Sequence, residues 1–306
     1  MRCATAVQLA FGGDTNTANA AARVLTAGLG SAGRVLARAD VGMVNLETVV
    51  ADDNSGLVRQ PKQYNFLAPS RLLDVLARSG VDVVTMANNH GLDYGRLGLQ
   101  RTLAARSPVP IVGAGEDRSA AFDPYRTTVR GRGVVVFGAT DVIDDGLQWE
   151  ATADRSGLAS IKSATGYQTL RDAVRADRSQ HPCDVIVVYL HAGVELHSCP
   201  TERQRTVAAD LAADGATAVL MSHAHVVEPG AVLGNTAVDY GLGNFVFSAT
   251  STATSQTGVL QIDVPRAGPP RETWQPGRVV NGLPAMLDGS AATAARAQWR
   301  AAAGRC

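Results

Sequence analysis

A chain of 306 residues, 45% hydrophobic and 18% charged, is long enough to bury one large α/β core or two small ones. Its 28 Lys+Arg balance its 28 Asp+Glu, and this zero formal charge excludes a bulk nucleic-acid binder or a polybasic membrane-surface protein. The four cysteines, Cys3, Cys183, Cys199 and Cys306, form no C-x-x-C pair, so a zinc ribbon or thioredoxin-like motif is excluded and reduced thiols are expected. With no signal-peptide pattern and no apolar run of membrane-spanning length, the expected location is the cytoplasm, without a membrane span.

Residues 6–11 predict a first strand that breaks at Gly12-Gly13 and delivers Asp14. The Ala-rich stretch 18–38 has helical spacing, interrupted near Gly28 and Gly30. A second strand over 41–44 ends at Asn45-Leu46-Glu47. Asp, Asn, Ser, Gly and Pro cluster in 51–68, a loop that carries the basic Arg59 and Lys62. A helix over about 70–78, stopped by Gly80, leads to a strand over 81–86 that runs into Ala87-Asn88-Asn89-His90. A helix over about 94–106 and a short strand over 110–115 follow. Residues 125–129 and 133–138 predict a hairpin around Gly131-Arg132-Gly133. The polar, poorly periodic 141–165 reads as a functional loop or lid, with Trp149 a candidate cover for a site.

A helix over about 166–179 precedes 184–190, the strongest buried-strand signal in the chain, which ends at His191. A helical pattern over 200–214 precedes the apolar run from Ala218, which ends in Ser222-His223-Ala224-His225. Residues 231–240 predict a hairpin turning at Gly234-Asn235, and 258–264 a closing strand. The Pro, Gly and Arg of 265–277 predict a linker, and the tail a strand and an Ala-rich helix at about 290–303. Strands alternating with helices make the class α/β, and the hairpins call for mixed sheets. The organisation expected is one domain over 1–264, with 265–306 as a linker and a strand and helix packed on it.

Five apolar runs each deliver a metal-competent residue at the C-terminal end: Asp14, Glu47, Asn89-His90, His191 and the His223/His225 pair. Strand C-termini of an α/β sheet share one edge, where ligands bind, so these residues can converge. On a strand, the i, i+2 spacing of His223 and His225 puts both imidazoles on one side. Carboxylate, amide oxygen and imidazole suit Mn, Fe or Zn, and a pair of such divalent ions is the cofactor expected. His90 faces the substrate as proton donor or transition-state stabiliser, and Asp93, three residues on, orients it.

Asn89-His90, His191 and His223-x-His225 resemble the calcineurin-like metallophosphoesterase plan. Ala87-Asn88-Asn89-His90-Gly91-Leu92-Asp93-Tyr94-Gly95, His191-Ala192-Gly193-Val194-Glu195 and Tyr240-Gly241-Leu242-Gly243-Asn244-Phe245-Val246-Phe247 resemble one branch of it. That branch is the CapA family of capsule or poly-γ-glutamate biosynthesis proteins, and the resemblance runs from about residue 6 to 264. It implies a four-layer αββα metallophosphoesterase-like sandwich. It implies Asp14, Glu47, Asn89, His191, His223 and His225 as metal ligands and His90 in the catalytic role. It also implies Glu195 as a partner behind a ligand, and Asn244 as a support for the histidine loop. Three positions depart from the pattern. Asn16 stands where the plan has the histidine of Asp-x-His, Ser222-His223-Ala224 replaces Gly-His-His-Pro, and Ala192 replaces a Trp.

The function expected is a metal-dependent hydrolase or transferase acting on a phosphoester or a γ-glutamyl-type amide, through a metal-activated hydroxide. The substrate would be an anionic or glutamate-type small molecule or polymer, contacted by Arg59, Lys62, Asn16 and Asn244. The rival expectation is a non-catalytic accessory subunit of a polymer synthase.

Overall fold

The computed structural model describes residues 3–306. Two large sheets face each other. One has eight strands. Its order runs Leu283–Met286, Arg271–Val280, Gln256–Val264, Val7–Thr15, Val41–Leu46, Val83–Thr85, Ile111–Val112, and Asn244–Val246 pairs beside the far end of Val7–Thr15. The other has six strands: Gly230–Leu233, Thr236–Asp239, Ala218–His223, Val185–Ala192, Arg132–Thr140, Tyr125–Val129.

The two-residue period of the strands explains the layering, since alternate side chains leave opposite faces of a sheet. Val7, Leu9 and Phe11 of the first sheet meet Val134, Val136, Val185, Val187, Tyr189 and Leu220 of the second in one buried cluster. The alternate residues Val135, Phe137, Ile186 and Val188 point the other way, onto Leu170 and Val174 of helix Ala164–Gln180 and Val207 and Leu211 of helix Glu202–Asp214. On the outer face of the first sheet, Ala10 and Val44 pack on Leu36 of helix Gly30–Leu36 and Leu72 and Leu76 of helix Arg71–Arg78. The layer order is therefore helix, sheet, sheet, helix, as expected. Tyr189 also joins the sheets by donating its hydroxyl to the Gly12 carbonyl oxygen, 3.0 Å away in the interior.

Three expectations need correction. Gly12-Gly13 do not break the first strand, which runs on to Thr15. Their missing side chains instead admit a neighbour: a Cβ on Gly13 would lie 1.8 Å from the Gly243 carbonyl oxygen, to which Asp14 N donates at 3.0 Å. The linker expected over 265–277 is strand from Arg271 onward, because this segment pairs antiparallel with Gln256–Val264 from Arg271 to Arg278. All four cysteines are bridged. Cys3–Cys183 and Cys199–Cys306 join residues 180 and 107 positions apart, separations that no local spacing rule detects. Among the described residues no helix is long and apolar enough to cross a membrane.

Candidate metal centre

The C-terminal ends of both sheets meet at one edge. From the first sheet, Val7–Thr15 brings Asp14 and Val41–Leu46 brings Asn45, with Glu47 one residue past its end. The turn after Val83–Thr85 brings Asn88, Asn89 and His90. From the second sheet, Val185–Ala192 brings His191 and Ala218–His223 ends on His223, with His225 two residues on. Parallel pairing sets this alignment. Asp14 lies opposite Asn45, and Ala192 opposite His223.

Ligand atoms of Asp14, Glu47 and His225 lie within 4.8 Å of one another, a group that could hold a metal ion. Asp14 and Glu47 are fully buried, and Asp14 Oδ2 and Glu47 Oε1 have no hydrogen-bond donor. Two buried, orphaned carboxylate oxygens beside an imidazole fit a hard or borderline cation, since an unmatched buried acceptor is costly. A second group stands next to it. Asn89 Oδ1 is 2.8 Å from His191 Nε2, which is 3.1 Å from His223 Nδ1.

The electrostatics divide the two carboxylates. Burial, reinforced by Asp14 and Asp93 and opposed by Lys62, pushes the Glu47 carboxyl well above its usual range. Burial acts the same way on Asp14, but contact with His225 and the nearby His191 and His225 outweigh it, and Asp14 stays well below the usual range. His225 Nδ1 sits 3.4 Å from Asp14 Oδ2. Burial lowers His225, yet Asp14 and Asn244 raise it more. Burial and His223 hold His191 well below the ordinary imidazole value, and burial and His225 bring His223 down to about 4. Both are neutral imidazoles near neutrality, as metal ligation requires.

His90 lies on the rim. Its Nδ1 is 2.7 Å from Asp93 Oδ2, and its Nε2 points inward, 3.7 Å from Glu47 Oε1. Burial lowers its basicity against the pull of Asp93. Asp93 also accepts from Phe66 N at 2.6 Å and pairs with Lys62 Nζ at 3.2 Å. Lys62 donates to the Asn89 carbonyl oxygen, pairs with Asp144 at 2.9 Å and lies 5.1 Å from the Trp149 ring centroid. Its ammonium is thus shared by two carboxylates and braces the His90 turn. Trp149 is buried with Met86, Leu92 and Leu158, and anchors the long 141–165 segment to that turn.

The remaining candidates separate. Asn244 meets His225 twice, with Oδ1 2.9 Å from Nδ1 and Nδ2 donating to the His225 carbonyl oxygen at 3.4 Å. Asn16 is buried next to the first strand and caps its own turn through Ala18 N at 3.0 Å, which leaves Nδ2 without a partner. Arg59 and Glu195 are both exposed, and the charge of Glu195 reaches the centre by helping to raise His225.

Sequence reasoning gave no role to Asn45 and Asn88. Asn45 Nδ2 lies 2.8 Å from Asp14 Oδ1, 3.2 Å from His191 Nδ1 and 3.4 Å from Glu47 Oε2. Asn88 Nδ2 donates to Asn45 Oδ1 at 2.9 Å, and Asn88 Oδ1 accepts from His90 N at 2.9 Å. The available signal was the i, i+2 spacing of Asn45 and Glu47 at a strand end, the same rule that marked His223 and His225. Phe66 and Phe247 were also missed: their rings lie 4.3 Å from His90 and 4.8 Å from His225.

Residues 8–249 match the family described as bacterial capsule synthesis protein PGA_cap. The chain is 30% identical over 229 residues to the PGA biosynthesis protein CapA of Bacillus subtilis (strain 168), covering 74% of this chain and 58% of that protein. It is 32% identical over 159 residues to a probable polyglutamine synthesis accessory protein of Mycobacterium tuberculosis (strain ATCC 25618 / H37Rv), covering 50% of this chain and 41% of that one. The chain spans about half the length of the curated relatives it matches. In structure it is similar to a hypothetical protein from Thermus thermophilus, with a TM-score of 0.54 at 15% identity, covering 87% of this chain and 99% of that one. That likeness is one of fold.

Proposed function

The chain belongs to the PGA_cap family of bacterial capsule synthesis proteins, and from that premise we propose that it is a metal-dependent hydrolase acting at a γ-glutamyl-type amide or a phosphoester. The observation that carries this reading is the pair of orphaned, buried oxygens, Asp14 Oδ2 and Glu47 Oε1, grouped with His225. In this proposal Asp14, Glu47 and His225 hold one divalent ion, and Asn89, His191 and His223 a second, drawn from Mn, Fe or Zn. When bound, such ions polarise a substrate oxygen and acidify water.

The chain's own residues supply the rest. Asp93 fixes the His90 ring through Nδ1, so Nε2 is the atom that passes a proton to the leaving group. Lys62 neutralises Asp93 and keeps that carboxylate from swinging away. Asn45 holds the ligand residues of both sheets in register from behind. Arg59, exposed on the 51–66 loop, is the side chain free to meet a substrate carboxylate or phosphate. The two disulfides support action in an oxidising compartment, because cytosolic thiols are kept reduced.

Metal analysis of the purified protein tests the reading, alongside assays with Mn²⁺ on p-nitrophenyl phosphate esters and γ-glutamyl peptides. At least one bound Mn, Fe or Zn per chain is expected, lost in Asp14→Asn, together with turnover of one substrate class. Less than one ion per chain and no turnover of either class would overturn it. The name of the mycobacterial relative supports a second reading, a non-catalytic accessory role in polymer synthesis. In that case His223→Ala leaves polymer formation unchanged.

A further inference from the structure

We propose that Asn16 is a hydrogen-bond donor to the substrate rather than a metal ligand, and that its Nδ2 takes up an anionic oxygen seated beside Asp14 and Glu47. The inference rests on the metal-centre reading and deepens it, by giving a role to the position where the Asp-x-His plan is broken.

Backbone pairing puts Asn16 in the wall of the centre. Asp14 lies between Asn45 and Asn244, and Thr15 between Leu46 and Val246. Two bonds carry the register one step further. Glu47 N donates to the Thr15 carbonyl oxygen at 2.8 Å, and Asn16 N donates to that of Val246 at 2.9 Å. Asn16 thus sits between Glu47 and Phe247, two residues beyond Asp14 and on the same face of the strand. Glu47 is grouped with Asp14 and His225, and the Phe247 ring lies 4.8 Å from that of His225. Asn16 is fully buried there.

The turn that follows fixes the orientation of the amide. Ala18 N has Asn16 Oδ1 as its acceptor, at 3.0 Å. The turn is itself pinned, since the Ala18 carbonyl oxygen accepts from Ala21 N at 3.0 Å and from Ser248 Oγ at 3.4 Å. Rotating the amide to aim Oδ1 at an ion would set Nδ2 against the Ala18 N–H, two donors face to face. The oxygen is therefore committed to the turn. The free end is Nδ2, which can donate but offers no lone pair to a metal.

Nδ2 has no partner, and neither have Asp14 Oδ2 and Glu47 Oε1. All three are buried polar atoms, and leaving them unmatched is costly. A cation matches the two oxygens but cannot match a donor. What answers all three is a cation with an anionic oxygen beside it, and a reaction that develops charge on a substrate oxygen creates that arrangement. A neutral amide makes this bond without adding charge next to the two carboxylates.

The test titrates inorganic phosphate, as an oxyanion probe, into the Mn²⁺-loaded full chain by calorimetry, with metal affinity read separately by chelator competition. Asn16→Asp keeps the shape and the acceptor for Ala18 N but replaces the donor with an oxygen. Asn16→Ser also keeps an acceptor for the turn, shortens the side chain and adds no charge. Unchanged circular dichroism shows that each variant is folded. The phosphate Kd should weaken by roughly 10- to 100-fold in both variants, while metal affinity holds within about 3-fold in Asn16→Ser and does not fall in Asn16→Asp. Equal phosphate binding in all three proteins overturns the inference, and so does a wild type that holds metal but binds no phosphate. Metal affinity that falls by about 10-fold or more in Asn16→Ser would return Asn16 to the ligand set and also overturns it. A wild type that binds no metal removes the metal-centre reading and the inference with it, so the metal measurement tells the two failures apart.

Discussion

The two sheets bring unlike chemistry to the same edge. The first contributes Asp14, Glu47 and Asn89, all oxygen donors, while the second contributes the imidazoles of His191, His223 and His225, with the Ser222 hydroxyl beside His191. Each half is unfavourable alone. Burial and Asp14 drive Glu47 toward its neutral form, and burial together with neighbouring histidines drives His191 and His223 toward theirs. Brought together, the acids lower the cost of any positive charge and the neutral rings offer lone pairs. The difference between the sheets is thus a division of labour: one supplies acidic oxygens, the other directional lone pairs, and the cation proposed above would satisfy both. Asn45 is the physical seam, because one side-chain amide reaches Asp14 and Glu47 on its own sheet and His191 across the gap.

The largest effect should come from the rim. His90→Asn removes the proposed proton donor and leaves every proposed ligand in place, so kcat should fall by about 10²–10⁴-fold while metal content is unchanged. A parallel loss of metal, read by elemental analysis, would make His90 part of the ligand set. A smaller effect tests the seam. Asn45→Ala should weaken metal affinity by about 10- to 100-fold in a chelator competition, with the fold retained. Unchanged affinity would mean that the two halves hold their register without it.

The smallest effect concerns a buried acid group outside the centre. Asp239 is raised to about 7 by burial. Glu228 is raised to about 8 by burial and Asp239, against Gln204 and Arg205, and Glu272 to about 8 by burial and Asp239. These acids are neutral in the folded chain at pH values where the unfolded chain has ionised them. Their contribution is intact at low pH and is lost as the pH rises through about 7 to 8. Melting temperature should therefore fall by several degrees from about pH 5 to about pH 8, and Asp239→Asn should flatten that slope.

Much of this edge was legible because it depends on strand ends, and strand ends are written in short apolar runs. Val185–Ala192 ending near His191, and Ala218–His223 ending on His223, need only period-2 reasoning. What stayed hidden depends on partners far away in sequence. Asn45 looks like an ordinary strand-end amide until His191, 146 residues later, is set beside it. Phe66 sits in a segment whose Asp, Asn and Gly content reads as loop, and only its contact with His90 gives it a role. Lys62 reads as a free cation until Asp93 and Asp144 close on it. The disulfides were misread for the same reason: cysteine spacing reports local motifs, and these bridges are long-range.

The histidine turn carries a backbone cost. His223 and His225 both have positive φ, at 116° and 57°, in a region that disfavours side chains with a Cβ. Glycine would relax the backbone at either position and remove a proposed ligand at the same stroke. Selection for heat resistance alone, applied to this protein in a directed-evolution experiment, would therefore draw substitutions to these two positions and, on the proposed reading, return robust variants that have lost a ligand. The turn is a place where durability and activity pull on the same two codons in opposite directions.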